Sequence, residues 1–310
     1  MEAVHEPVDV QLAPQEAFPA PQEAAGNVNA VEDAVEYIFQ FITVVQDDEA
    51  LNTIWIRSER AYHTEISLRI LQETISLFGI IHPEFFNLAV RKLASAEVES
   101  TAGTRMLGNK HFFDLQFHSL ARALRHSSME QETRTTVLID NAIVRPFPKY
   151  DVFNSNIYLL PFVSVDSSYG LLVVDMETRR VLPIDPSIDV YGGPYNFHNT
   201  ETRKEITMLK EEFNNVLQMK IPCWNSNLDD WSTHGIASNG RRMDSGFKVL
   251  QEMAHLYETI GNDMVHNMPR TDDPQSLRKR LMVQLLMVRD NQAKDNIPEQ
   301  VRAALRFIGG

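Results

Sequence analysis

The sequence predicts an α+β fold, in which helices are followed by a compact group of strands and then by helices again. Three observations carry this. Before residue 98, apolar side chains recur at three- and four-residue spacing. Between residues 157 and 185, three short apolar runs follow one another at hairpin separation. After residue 200 the helical spacing returns.

Taken in order, residues 1–28 are rich in Pro, Ala, Gln and Glu and read as a disordered tail. Val31, Ala34, Val35, Ile38, Phe41, Ile42 and Val45 share one helical face, and Asp47, Asp48 and Glu49 end that helix or start the next. Ile66, Ile70, Leu71, Thr74, Ile75 and Phe78 form a second stripe, stopped by Gly79. His82-Pro83 opens a third helix carrying Phe85, Leu88, Ala89, Leu93 and Ala96. Residues 29–100 are therefore expected to form a helical region ahead of a second domain over 101–310. Ser100 to Gly108 reads as a linker, and His111 to His126 as one amphipathic helix. The seven-residue separation of His111 and His118 gives no metal site.

Thr136 to Ile139 is β-branched and apolar and reads as a strand; Arg145-Pro146-Phe147-Pro148 reads as a turn. Ile157–Phe162, Gly170–Asp175 and Arg180–Asp185 are the three strand runs, with Met176 to Arg179 as the turn between the last two. They are apolar on both faces, so the sheet is expected to be covered on both sides. Residues 201–219 form a helix, Lys220 to Trp224 a short strand, and Asn225 to Arg242 a polar loop. Further helices are expected behind Met243, after Thr271-Asp272-Asp273-Pro274 over 277–288, and over 298–308.

The chain has 310 residues, 43% of them hydrophobic, enough for a sizeable core. A net charge of −13 argues against nucleic acid and against an anionic membrane surface. Arg278-Lys279-Arg280 is a local basic run that reads as a solvated helix face. The single cysteine, Cys223, excludes an intrachain disulfide framework and a cysteine-based zinc cluster. No secretory signal is visible, and a nuclear or cytoplasmic protein is expected. No cofactor is called for.

The chemically suggestive stretch is Met243-Asp244-Ser245-Gly246-Phe247. Behind it Val249, Leu250, Met253, Leu256, Tyr257 and Ile260 form one helical stripe. Asp244 or Ser245 can cap that helix. A side chain at 245 would stand at the positive end of the helix, where a thiolate or an oxyanion is stabilised. The residue there is a serine, which either does chemistry or only caps.

The order of strands, Asp185, helix, loop and the Asp-x-Gly helix start resembles the Ulp/SENP family of papain-like cysteine peptidases, which process ubiquitin-like modifiers such as SUMO. Leu160-Pro161-Phe162 through Asp175, then Ile184-Asp185-Pro186-Ser187, then Met243 to Gln251 carry the resemblance. It implies a papain-like α+β fold with a mostly antiparallel central sheet flanked by helices. It places Asp185 at the triad aspartate and Ser245 at the nucleophilic cysteine. The family's His-Trp pair falls on Ser168-Tyr169, and Ser168 precedes Asp185 by 17 residues, as the family pattern expects. The oxyanion glutamine has no counterpart over 234–242, where Asn239 is the nearest amide.

These replacements have chemical consequences. A thiol of pKa about 8.5 is readily ionised, whereas a serine hydroxyl needs a base beside it. Ser168 cannot take up a proton. Loss of the nucleophile or base of such a triad costs on the order of 10⁶ in turnover. One reading is therefore a catalytically inactive, peptidase-like interaction module. It would bind a ubiquitin-like modifier with Tyr169 as an aromatic lid beside Gly246, and another protein through the helices at 29–98. The alternative is an active hydrolase that uses Ser245 with His198 or His234 as base. A third reading, a helical protein with no such fold, requires that residues 157–185 not be adjacent strands.

Overall fold

The computed structural model describes residues 28–59, 63–76, 78–101, 110–144, 152–186, 200–233, 235–237, 241–259 and 273–309. The N-terminal tail, most of the 100–108 linker, the Arg145–Pro148 turn, His198, His234 and Asn239 lie outside the described residues.

The chain opens with α1 (Val28–Val44) and the short α2 (Asp48–Asn52). Asp47 caps α2 by accepting the Ala50 N–H at 2.8 Å. A hairpin of β1 (Ile54–Ser58) and β2 (Thr64–Ser67) follows, inside the stretch expected to be helical throughout. Its β-branched and aromatic run, Ile54-Trp55-Ile56, was the available signal. Next come α3 (Leu68–Ile75) and α4 (Pro83–Thr101). Phe78 is not part of the α3 stripe: the helix ends at Ile75, and Phe78 is 76% exposed.

The expected helix from His111 to His126 is two elements, β3 (Lys110–Phe112) and α5 (Leu115–Arg125). Asp114 separates them, its carboxylate accepting the Gln116 N–H at 2.9 Å. His111 is thus a strand residue. It packs edge-on against Phe113, and burial lowers its pKa to about 3. His118 instead sits 2.8 Å from Glu205. The expected strand at 136–139 belongs to α6 (Gln131–Ile139). Thr135 and Thr136 each donate a hydroxyl to the carbonyl four residues back, at 2.9 Å, which lets β-branched residues sit in a helix.

The sheet is built from β4 (Ile157–Val163), β5 (Tyr169–Asp175) and β6 (Arg180–Asp185). After α7 (Thr200–Lys220) the chain adds two short strands, β7 (Ser232–Thr233) and β8 (Ile236–Ala237). The helices α8 (Ser245–Thr259), α9 (Pro274–Leu286) and α10 (Glu299–Gly309) complete it. The strand order is β3-β4-β5-β6-β7, with β8 also on β6. The long central pairings are antiparallel, and the short outer ones are parallel. Lys220 ends α7 and residues 221–224 are a turn leaving it, not a strand, and Cys223 takes the left-handed conformation with φ 62°.

Alternate side chains of these strands enter two separate cores, as the two-faced apolar runs predict. Leu159, Leu171, Val173, Leu182 and Ile184 pack with residues of α1, α3, α4, α8, α9 and α10. Tyr158, Leu160, Leu172, Val174 and Val181 pack with α5, α6 and α7. The helices before residue 100 therefore share a core with the C-terminal helices; they are not a detached layer. The sheet rules out the purely helical reading.

Arg278 corrects the expectation of a solvated basic face. It is fully buried, and its guanidinium donates to the carbonyls of Thr74 (2.6 Å), Ser76 (2.9 Å), Gly79 (2.8 Å) and Met243 (3.0 Å), and to Asp244 (2.8 Å). It also lies 4.3 Å from the centroid of the Phe247 ring. Lys279 pairs with Glu36 and stands over Phe39. The partners of both residues are too remote in sequence for helical spacing to show them. Arg278→Ala should lower unfolding stability by about 3–5 kcal/mol, because Asp244 loses its buried partner and keeps only the half-exposed Arg241, and four buried or part-buried carbonyls lose a donor. Arg278→Lys should restore little of this, since an ammonium cannot span the same set of acceptors. Urea unfolding of the two variants checks both statements.

Candidate functional site

A 3-10 turn, Arg242–Asp244, runs into α8, and Ser245 already has helical dihedrals, φ −56° and ψ −43°. Phe247, Val249, Leu250 and Met253 hold the helix in the core. Ser245 is fully buried. Its hydroxyl donates to the Arg242 carbonyl at 2.6 Å and accepts the Tyr169 N–H at 2.9 Å. The Asp244 carboxylate is taken by Arg278 and, at 2.7 Å, by Arg241. Neither residue caps the helix as expected: among the described residues, neither side chain bonds a first-turn N–H. The 3-10 turn fills that role, with the Ser245 N–H bonded to Arg242.

Ser168 closes the loop between β4 and β5. Its hydroxyl donates to Asp166 at 2.7 Å and lies 2.6 Å from the Ser164 hydroxyl. Asp166 also accepts the Ser168 N–H at 3.1 Å and the Ser164 hydroxyl. Burial alone would raise the Asp166 pKa. Hydrogen bonds from both serine hydroxyls and from the Ser168 N–H, with the charge of Arg242, bring it below its usual value. Ser168 therefore serves a carboxylate that fixes a turn, with Ser167 at φ 66° beside it. Sequence reasoning missed Asp166. Its signal was an aspartate two residues ahead of Ser168 in a serine-rich turn.

Tyr169, which the sequence allows as an aromatic lid or as a packed core residue, is packed in the core. It is 2% exposed, its ring lies 5.0 Å from that of Phe86, and its hydroxyl donates to the Ile81 carbonyl at 2.7 Å. Burial pushes its pKa up. Gly246 faces the same region. A Cβ there would overlap Ile81 Cγ2 and lie 3.2 Å from the Tyr169 ring, so glycine is what lets the Ile81 side chain approach this closely.

Asp185 is buried at the end of β6, and Thr202 of α7 donates to it at 3.4 Å. The register pairs Ile184 with Leu171, two residues beyond Tyr169. Positions 168, 185 and 245 thus share one end of the sheet. Among the described residues no imidazole reaches Ser245, and no group of three metal-ligating side chains occurs. A groove of about 640 Å³ lies nearby, where Pro83 and Asn87 of α4 face Leu115, Ser119 and Arg122 of α5 and Val163 of β4.

No protein-family model matches the chain, and no curated protein matches it. Its fold, however, is that of Ulp/SENP-type proteases. The chain is similar to the C-terminal Ulp1 protease domain solved in complex with Smt3, the yeast ortholog of SUMO, with a TM-score of 0.55 and 12% identity over 84% of this chain and 95% of that one. It is similar to the Ulp1-like SUMO protease catalytic domain of Chaetomium thermophilum, with a TM-score of 0.53 and 13% identity over 93% and 97%. A SUMO protease Ulp1 with its catalytic cysteine oxidised to a sulfonic acid gives a TM-score of 0.54 and 12% identity over 82% and 94%.

Ser245→Ala should destabilise the fold by about 1–3 kcal/mol, because it leaves the buried Tyr169 N–H without this acceptor; thermal unfolding measures it. The depressed pKa of Asp166 makes its contribution fully present above its unfolded pKa. That contribution is lost as pH falls through the lower, folded value. Protection of the amides in the 164–168 turn, relative to their intrinsic exchange rates at each pH, should therefore fall on acidification below about pH 4, and Asp166→Ala should remove that dependence.

Proposed function

We propose that the chain is a catalytically silent Ulp/SENP-like module that works by binding protein, with a ubiquitin-like modifier as the partner class. The observation that carries this is the state of Ser245. Its one proton is held by a backbone carbonyl, and its lone pair by a backbone N–H. The residue where the family has histidine is a serine bonded to Asp166. Among the described residues, a hydroxyl so placed has no general base beside it to activate it. The hydrolase alternative gains no support among the described residues.

The fold likeness to a protease domain solved with a SUMO ortholog supports the partner class. The groove between α4 and α5 offers apolar walls with the half-exposed Arg122 at its rim, suited to the folded body of a modifier. The outer face of α1, with Val31 and Val44 exposed, is a second surface for another protein.

Titration of labelled SUMO and ubiquitin with the full chain should show saturable binding to at least one of them. Ser119→Arg, an exposed substitution on the groove wall, should weaken that binding by about tenfold or more, equivalent to about 1.4 kcal/mol. The wild-type chain should leave a modifier precursor and a fluorogenic Gly-Gly ester intact. Cleavage that Ser245→Ala abolishes would establish an enzyme, and failure of both modifiers to bind would remove the partner class.

A further inference from the structure

The segment Phe78–His82, between α3 and α4, crosses the start of α8. It is held at three backbone or side-chain points. The Gly79 carbonyl accepts from Arg278 at 2.8 Å, the Ile81 carbonyl from the Tyr169 hydroxyl at 2.7 Å, and the His82 Nδ1 from the Glu84 N–H at 3.3 Å. Its side chains divide: Phe78 and Ile80 are exposed, while Ile81 is buried against Gly246 and the Tyr169 ring. Ser245 is fully buried, and the space beside the adjacent Gly246 is occupied by Ile81 and the Tyr169 ring.

We propose that Phe78–His82 is a plug, supplied by the chain's own N-terminal half, that shuts position 245 to an incoming peptide whichever nucleophile stands there. This rests on reading 168, 185 and 245 as a peptidase-type site. It adds that the site is closed sterically as well as chemically. It follows that a partner is bound on the outer surface, with no tail inserted.

The test uses thiol accessibility in the full chain. With Ser245→Cys, the exposed Cys223 serves as an internal reference. In timed iodoacetamide pulses read by peptide mass spectrometry, the introduced thiol should label at least about 100-fold more slowly than Cys223, because its exposure requires a local opening. Adding Ile81→Ala should speed labelling of the introduced thiol at least about tenfold, with amide exchange at Val173, inside β5, unchanged. Should Ser245→Cys fail to fold, the Tyr169 amide of the unsubstituted chain reports the same closure. It should be protected, and it should exchange faster in Ile81→Ala while Val173 does not. Labelling of the introduced thiol within a few-fold of Cys223, an unprotected Tyr169 amide, or an Ile81→Ala variant that changes neither readout would overturn the plug. The binding and cleavage assays above read the function separately, so a chain that neither cleaves nor binds but keeps the introduced thiol unreactive has a plug without the proposed partner.

Discussion

The buried guanidinium of Arg278 is the interaction on which the rest of this end of the molecule depends. It gathers three carbonyls from the end of α3 and the chain just after it, one carbonyl before α8 and the Asp244 carboxylate, from a position inside α9. An ion of this kind is costly in an apolar interior unless its donors are met, and a carboxylate together with several carbonyls meets those of its two terminal nitrogens. Three segments far apart in sequence are thereby fixed relative to one another, and the start of α8 cannot shift without breaking the set.

The site inherits its character from this constraint. Because Gly79 is held by Arg278, the next residues cross α8 at a fixed height, and Ile81 meets Gly246. Because Asp244 is engaged by two arginines, its carboxylate is not available to Ser245. The serine hydroxyl is left as a clamp between the α8 start and the first N–H of β5. An arrangement that elsewhere exposes a nucleophile here joins a helix to a sheet.

Much of this could be read along the chain, and what could not has a common cause. The strands from Ile157 to Asp185, their hairpin turns and their two covered faces are written in local alternation, which a single sequence displays directly. The spacing of Ser168, Asp185 and Ser245 suggested the family resemblance, and the fold that the resemblance implies is the one found. What stayed hidden depends on distant partners: Arg278 with Thr74, 204 residues away, and Tyr169 with Ile81, 88 residues away. The threonines of α6 misled for a different reason, since their hydroxyls satisfy helix carbonyls that their β-branching would suggest are absent. The β1–β2 hairpin was obscured by strong helical stripes on either side.

The Ser164-Asp166-Ser168 cluster also bears on how this sequence can change. A histidine at 168 would bring an imidazole to this end of the sheet, yet it would also remove a hydroxyl donor from a carboxylate that already organises the turn. Any gain and the damage fall on the same residue, so their effects do not add independently. Position 168 therefore resists single substitution, because its side chain is already committed to holding the turn in place.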